Sequence, residues 1–455
     1  MATPKTVAAQ EKNYDLQERA IQRRAVEAAI WGIPAVNYQL MFQEMVDKVK
    51  GDFNQILYWS RLLDWKNQTL TPNPDVIYLM PFFDTKDVGP LVLEVPPADE
   101  GLFNGSIMNL WQAAIEDIGP GGIDKGKGGK YLFLPPDYKE RVPAGYIPMQ
   151  SNTYRGYALI RSVLQSGSDE DVAKAVKYSK RLQLYPLSQA SAPPPTKFVD
   201  ASDVLIDSTI RYNASFFDSL NQIIQAEPWL ERDKVMIDPL KTIGIVRGKP
   251  FNPDARTRTI LDAAMQEAKA YFDAKYSEFE PYYDGGHWFF PLTEEMHQNV
   301  MSDWRTPDSF PIDVRGTLYS LAFFSAKHIG EAQYYLLNGN DKDGKPLDGG
   351  ASYRLHVPPN VPITQYWSMT VYNRDTHAFI LNARWVGRSS QTPGLQWNTD
   401  GSADFYFGPT APKGKESNWI PTDPKGRFEV LARFYGPKKP LFDKTWRLND
   451  IARMS

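Results

Sequence analysis

The residues best suited to chemistry are two aspartates, a tyrosine, and a row of hydroxyls near the end of the chain. Asp75 lies three residues before Tyr78, and Asp117 follows the aromatic Trp111 by six. Two converging carboxylates could hold a hard divalent cation such as Mg or Ca, or could divide general acid and general base roles. Turn-capping aspartates would look the same in sequence. The row is Tyr366, Ser368, Thr370 and Tyr372, which alternate with Trp367, Met369 and Val371. A period of two places each set on its own face of a strand. A hydroxyl face free of Lys, Glu and Asp suits a pocket wall, and equally a solvent face that happens to carry hydroxyls. Arg433 alternates with apolar residues in another strand and could hold a carboxylate or sulfate by its guanidinium fork. Arg384 has the same pattern.

Other motifs carry less. Gly121-Gly122-Ile123-Asp124-Lys125-Gly126-Lys127-Gly128 falls short of a phosphate loop: no Ser or Thr follows Lys127, and a strand follows in place of a helix. A charged turn that could act as an anion nest is the alternative. No Gly-x-Ser-x-Gly elbow is present, and Ser368 and Ser106 are weak nucleophile candidates. The histidines are His287, His297, His328, His356 and His377, with no metal-ligand spacing among them. His377, just past the hydroxyl strand, is the general-base candidate on position, with a surface-turn histidine as the alternative. Asp341-Lys342-Asp343-Gly344 opens like a calcium loop, but Pro346 and Ser352 stand where glycine and glutamate are needed.

The elements that must position these groups can be read in order. An amphipathic helix is predicted from Asp15 to Trp31, broken by Gly32 and Pro34, with a second from Ala35 to Val49. Strands are expected at Leu91–Val95, Ile107–Gln112, Tyr131–Leu134 and Tyr157–Leu164, spaced by Pro- and Gly-rich turns as in an antiparallel sandwich. Ser168 caps a helix start at Asp169-Glu170-Asp171, and further helices are expected at Thr209–Gln225, Ala255–Phe279 and Gly316–Leu337. Alternation returns at 379–385, 402–407 and 428–435, implying a second sandwich or jelly roll.

The expected fold class is therefore α+β multidomain: two antiparallel β-sandwich or jelly-roll modules, with N-terminal helices and a mainly helical middle region. The boundaries run 1–50, 51–167, 168–337 and 338–455. Composition agrees with a globular chain: 455 residues are too many for one core, and 42% are hydrophobic. With 12 Trp and 24 Tyr, rings are plentiful enough for sites that grip apolar or sugar-like ligands. A net charge of -3 without a basic run argues against nucleic acid as a partner. The absence of cysteine excludes disulfides, cysteine nucleophiles and thiolate metal sites. No run reaches the ~20 apolar residues of a membrane span, and residues 1–20 lack the apolar core of a signal peptide.

The chain resembles a bacterial family of two uncharacterised modules, domain of unknown function 1254 followed by domain of unknown function 1214. In the first module the likeness rests on Thr71-Pro72-Asn73-Pro74-Asp75-Val76-Ile77-Tyr78, on Gly89 to Pro96, and on Asp117-Ile118-Gly119 through Asp124 to Leu132. In the second it rests on Tyr366 to Tyr372, Asp400-Gly401-Ser402, Asn418-Trp419-Ile420-Pro421 and Arg433-Phe434-Tyr435. The resemblance implies two β-sandwich modules, hydrolysis of small organic esters with alkyl sulfates as one candidate, and export to the periplasm or beyond after removal of a leader. Without a leader the protein would be cytoplasmic.

The resulting expectation is a hydrolase with its pocket between the β-modules. Asp75, Tyr78, Asp117 and His377 would be catalytic, with a divalent cation left open. Tyr366, Ser368, Thr370, Tyr372, Arg433 and Trp111 would bind a small-molecule substrate. Homo-oligomerisation is left open. The alternatives are a non-catalytic protein that captures a sugar or amphiphile, and a scaffold with a broad apolar patch.

Overall fold

The computed structural model describes the backbone of residues 4–322, 325–328 and 333–454, with side chains from residue 15 onward. It opens on one helix, Pro4–Val49, that runs straight through the expected break. Proline removes a backbone donor and costs about 3 kcal/mol inside an isolated helix. Long-range donors grip the carbonyls on either side of the break and hold the helix in line. Arg315 Nη2 donates to Trp31 O at 3.0 Å, and Gln112 Nε2 donates to Pro34 O at 2.7 Å. Gly32 fits because a Cβ there would meet Leu220 Cδ1 at 2.9 Å.

Six strands then form one sheet in the order Phe198–Asp200, Gln55–Tyr58, Val76–Asp84, Arg155–Val163, Phe103–Asn109 and Ala114–Ile118. A second sheet has the order Gln183–Pro186, Leu91–Val95, Gly129–Leu134, Tyr146–Gln150. Its residues Leu91, Leu93, Tyr131 and Phe133 share a core with Ile56, Leu79, Phe83 and Ile160 of the first. The strand Val76–Asp84 is buried on both faces. Leu79 and Phe83 point to the second sheet, while Tyr78, Met80 and Phe82 point to the helices. That double burial explains why its sequence is apolar without alternation.

The helices Ser215–Ala226, Ala255–Tyr276 and Ile312–Leu321 pack against the long first helix. Ser168 does cap its helix, accepting from Asp171 N at 3.2 Å. The expected helix Gly316–Leu337 ends at Leu321; residues 323, 324 and 329–332 lie outside the described residues. Gln333–Asn338 is a strand, because its short apolar run pairs with Phe428–Tyr435. Tertiary pairing here overrides helical periodicity.

Two four-stranded sheets follow: Gln333–Asn338, Phe428–Tyr435, Trp367–Asn373, Gly387–Ser389, and Trp419–Pro421, Ala403–Gly408, Tyr353–Val357, Ala452–Arg453. The expected strand at 379–385 is absent apart from a bridge between Tyr372 and Phe379. His377 and Asn382 both have positive φ, 55° and 58°, which breaks the extended geometry. The architecture is thus α+β with an N-terminal helix, a helical layer and mostly antiparallel sheets. Among the described residues no helix is long and apolar enough to cross a membrane.

Candidate functional site

A cavity of about 470 Å³ lies where the first sheet, the helices and the C-terminal sheet meet. Most of its lining is apolar, including Met41, Met80, Leu159, Leu318 and Leu431. Two guanidiniums, Arg161 and Arg433, face it together with Tyr78 and Tyr335. Pro120, Gly121, His328 and Gln365 are its exposed lining residues and mark where it opens.

Arg433 is 2% exposed and is held by the chain itself. Its Nη1 donates to Thr370 Oγ1 at 2.8 Å. Its Nη2 reaches Tyr372 OH at 2.6 Å and the carbonyls of Thr71 and Pro72 at 3.2 Å each. Burial alone would lower its pKa, yet the oxygens of Tyr372, Tyr435 and Tyr335 raise it and keep the charge. Tyr372 in turn donates to Pro72 O at 2.5 Å, and Asn73 Nδ2 donates to Tyr435 OH at 2.6 Å. The segment Thr71–Asp75 is therefore a strap from the first β region seated on the hydroxyl face of the last.

The hydroxyl row belongs to that seat and does not line the cavity. Tyr366, Ser368, Thr370 and Tyr372 are all buried. Tyr366 stacks on Tyr435 with ring centroids 4.1 Å apart. Trp367, Met369 and Val371 fill the core behind, as the alternation requires.

Asp75, at the end of the strap, does not line the cavity. Burial pushes its carboxyl up, with Arg433 and Ser368 pulling it back down. Among the described residues neither Asp75 Oδ2 nor Ser368 Oγ has a partner in good hydrogen-bond geometry. Tyr78 does line the cavity, and its OH accepts from Asn73 N at 3.2 Å. Asp117 lines the far end, where its two oxygens accept from Lys327 N at 2.9 Å and His328 N at 2.7 Å. The two aspartates therefore occupy separate places, and each has a local role. Among the described residues no three His, Cys, Asp or Glu side chains could jointly hold a metal ion.

His377 is buried outside the large cavity, with Nδ1 2.7 Å from Glu429 Oε1. Tyr276 donates to the other Glu429 oxygen at 2.8 Å, and the Arg374 guanidinium lies 3.6 Å from the Tyr276 ring centre. That set ties the Ala255–Tyr276 helix to the last sheet; it is not a free general base. Trp111 packs against Trp31 with centroids 4.9 Å apart and serves the core. Arg384 is exposed beside Trp385. Ser106 lines the cavity, but no base among the described residues is hydrogen-bonded to it. The glycine-rich run is closed by its own carboxylate. Asp124 accepts from Gly119 N at 2.7 Å and Gly128 N at 3.0 Å. Gly119 needs its positive φ of 88° because a Cβ would lie 1.9 Å from Phe103 O.

Arg161 is the cavity-lining cation that sequence reasoning missed. It stands opposite Tyr78 across paired strands and donates from Nε to Tyr78 OH at 3.3 Å. Burial works against its charge, but Tyr78 and Tyr335 raise its pKa overall. Among the described residues it has no carboxylate within ion-pair distance, and its Nη groups make no hydrogen bond. The signal was present: Arg161 shares a strand face with Tyr157 and Leu159, both core residues. A lone cation on such a face is unusual.

Residues 53–186 match a family model described as a protein of unknown function, DUF1254, and residues 331–439 match another so described, DUF1214. No curated protein matches. The solved structure of the VPA0106 protein from Vibrio parahaemolyticus is similar over 96% of this chain and 100% of that one, with 18% identity and a TM-score of 0.57. An uncharacterised protein from Burkholderia cenocepacia is similar over 97% and 95%, with 10% identity and a TM-score of 0.42.

Proposed function

This chain belongs to the two-module family that joins DUF1254 to DUF1214, and on that footing we propose that its cavity receives a small amphiphilic molecule with an acidic or ester head group. The apolar part would lie among Met41, Met80, Leu159 and Leu431, and the head against Arg161. One observation carries the reading: a guanidinium lining an apolar cavity, with burial acting against it and, among the described residues, no carboxylate partner. A charge held in an apolar cavity without an ion-pair partner is costly, so an anionic ligand is its natural complement.

Hydrolysis of a carboxylic or sulfuric ester is the reaction such a site is suited to. Donors fixed beforehand in an apolar cavity stabilise developing negative charge far better than water does. Tyr78, bonded to Arg161, is the group placed to exchange a proton with the reacting oxygen. The second reading, a binder without catalysis, is favoured by one specific observation. Ser106, the serine at the cavity wall, has no base hydrogen-bonded to it among the described residues. The sandwich description of both β regions is also part of this proposal. It is supported by the core that the six-stranded sheet shares with its four-stranded neighbour.

The test pairs calorimetric titration of alkyl sulfates and fatty carboxylates with turnover assays on aryl and alkyl esters, using wild type, Arg161→Gln and Tyr78→Phe. Binding and turnover lost in Arg161→Gln, with turnover alone lost in Tyr78→Phe, is the expected result for an enzyme. Binding without any turnover in wild type would select the binder. Unchanged binding in Arg161→Gln would end the proposal.

A further inference from the structure

We propose that Thr71 is a specificity-determining residue that restricts the cavity to ligands with a singly charged head group; this rests on the proposed anion-binding role of Arg161. The argument starts from the backbone. Thr71 has φ 42°, a region that a β-branched side chain enters only under strain of about 1–3 kcal/mol. Three separate parts of the fold hold it there. Its N–H donates to His377 O at 2.6 Å, its Oγ1 lies 3.5 Å from Leu321 O, and its carbonyl accepts from Arg433. The left-handed turn aims the Thr71 and Pro72 carbonyls at one guanidinium nitrogen.

That aim has a consequence for charge. Arg433 Nη2 has two N–H groups and three acceptors around it: Thr71 O, Pro72 O and Tyr372 OH. Both N–H groups of Nη2 are thereby spent on the chain, Nη1 donates to Thr370 Oγ1, and Asp75 offsets part of the Arg433 charge. Arg161 keeps its Nη groups for the ligand. Among the described residues of the lining, Arg161 is thus the guanidinium whose Nη groups are uncommitted and whose charge no carboxylate offsets. A monoanion such as an alkyl sulfate, sulfonate or carboxylate is balanced by it. A dianion such as an alkyl phosphate monoester would bury a second, uncompensated negative charge, which is costly in an apolar cavity.

The experiment is calorimetric titration of the full chain, below micelle-forming concentrations, with decyl sulfate, decanoate, and decyl phosphate in its dianionic form at about pH 8, well above its second pKa. Decyl glucoside serves as the uncharged control. The expected result is that both monoanions bind at least roughly tenfold more tightly than the dianion, about 1.4 kcal/mol. Thr71→Gly, which relieves the strain and frees the carbonyls to turn, is expected to narrow that gap. Thr71→Ala, which keeps a Cβ and the strained turn, is expected to preserve it. Equal or tighter binding of decyl phosphate to wild type would overturn the inference while leaving the anion site intact. An unchanged gap in Thr71→Gly would remove Thr71 from the role. Failure of every charged decyl compound to bind better than the glucoside would instead overturn the reading of Arg161 beneath it.

Discussion

Tyr78 and Arg161 face each other across two antiparallel strands, Nε to phenol oxygen 3.3 Å, with the guanidinium 5.4 Å from the Tyr78 ring centre. The pair sits on the cavity side of a sheet whose other side is closed by a second sheet. The strands are rigid and the Nη groups are unspent, so the site is preorganised for a ligand that supplies the missing negative charge.

Arg161→Met should abolish binding of alkyl anions while leaving the protein as stable as wild type or more so, by about 1–3 kcal/mol. A buried ionic group replaced by an apolar one of similar volume is commonly neutral or stabilising. Calorimetric titration and urea unfolding measure the two effects. A marked loss of stability would mean that Arg161 has a structural partner rather than a ligand.

Arg433→Met should behave in the opposite way. It strands the carbonyls of Thr71 and Pro72 and the hydroxyls of Thr370 and Tyr372, all within 3.2 Å of the guanidinium. A loss of about 3–5 kcal/mol is expected. Arg433→Lys should not restore it, because an ammonium lacks the planar fork that spans those acceptors. Denaturant midpoints of the two variants decide the point.

Glu227 should make stability fall as pH rises through the neutral range. Burial pushes its carboxyl up from 4.5 to about 7, against the backbone N–H of Tyr154 and the charge of Arg155. The folded state therefore holds the proton more tightly than the unfolded state. Stability is greatest below about pH 4.5 as far as this group is concerned, declines toward pH 7, and is constant above it. The full decline is on the order of 3 kcal/mol. Urea melts across that window should slope downward in wild type, with a shallower slope in Glu227→Gln.

Gln112→Ala should destabilise by about 2–5 kcal/mol, at about 1–3 kcal/mol for each of two orphaned partners. Gln112 is fully buried, donates to Pro34 O at 2.7 Å and accepts from Tyr157 OH at 2.8 Å. Thermal melting of the variant against wild type measures the loss.

Much of the fold was legible in the residues. The strand Trp367–Asn373 and its two faces follow from strict alternation, and Ser168 caps its helix by the type of its side chain and its position. The family likeness of both β regions was readable from separated motifs in order. The continuous first helix was not, because Gly32 and Pro34 are helix breakers by local rules. Arg315 and Gln112, hundreds and tens of residues away, hold the Trp31 and Pro34 carbonyls on either side of the break. The short strand Gln333–Asn338 was hidden for the same reason: its partner is about a hundred residues downstream.

Of the candidate site residues, Tyr78, Asp117 and Arg433 reach the cavity, while the hydroxyl row, Asp75, His377 and Trp111 do not. The sequence by itself determined which residues share a strand face, because a period of two is a property of the extended chain alone. It could not determine what covers each face. Whether a row of hydroxyls meets water, a ligand or another stretch of the same chain depends on contacts between distant segments. Here the strap Thr71–Asp75 took that face, and Arg161 was left to look into the open space beside it.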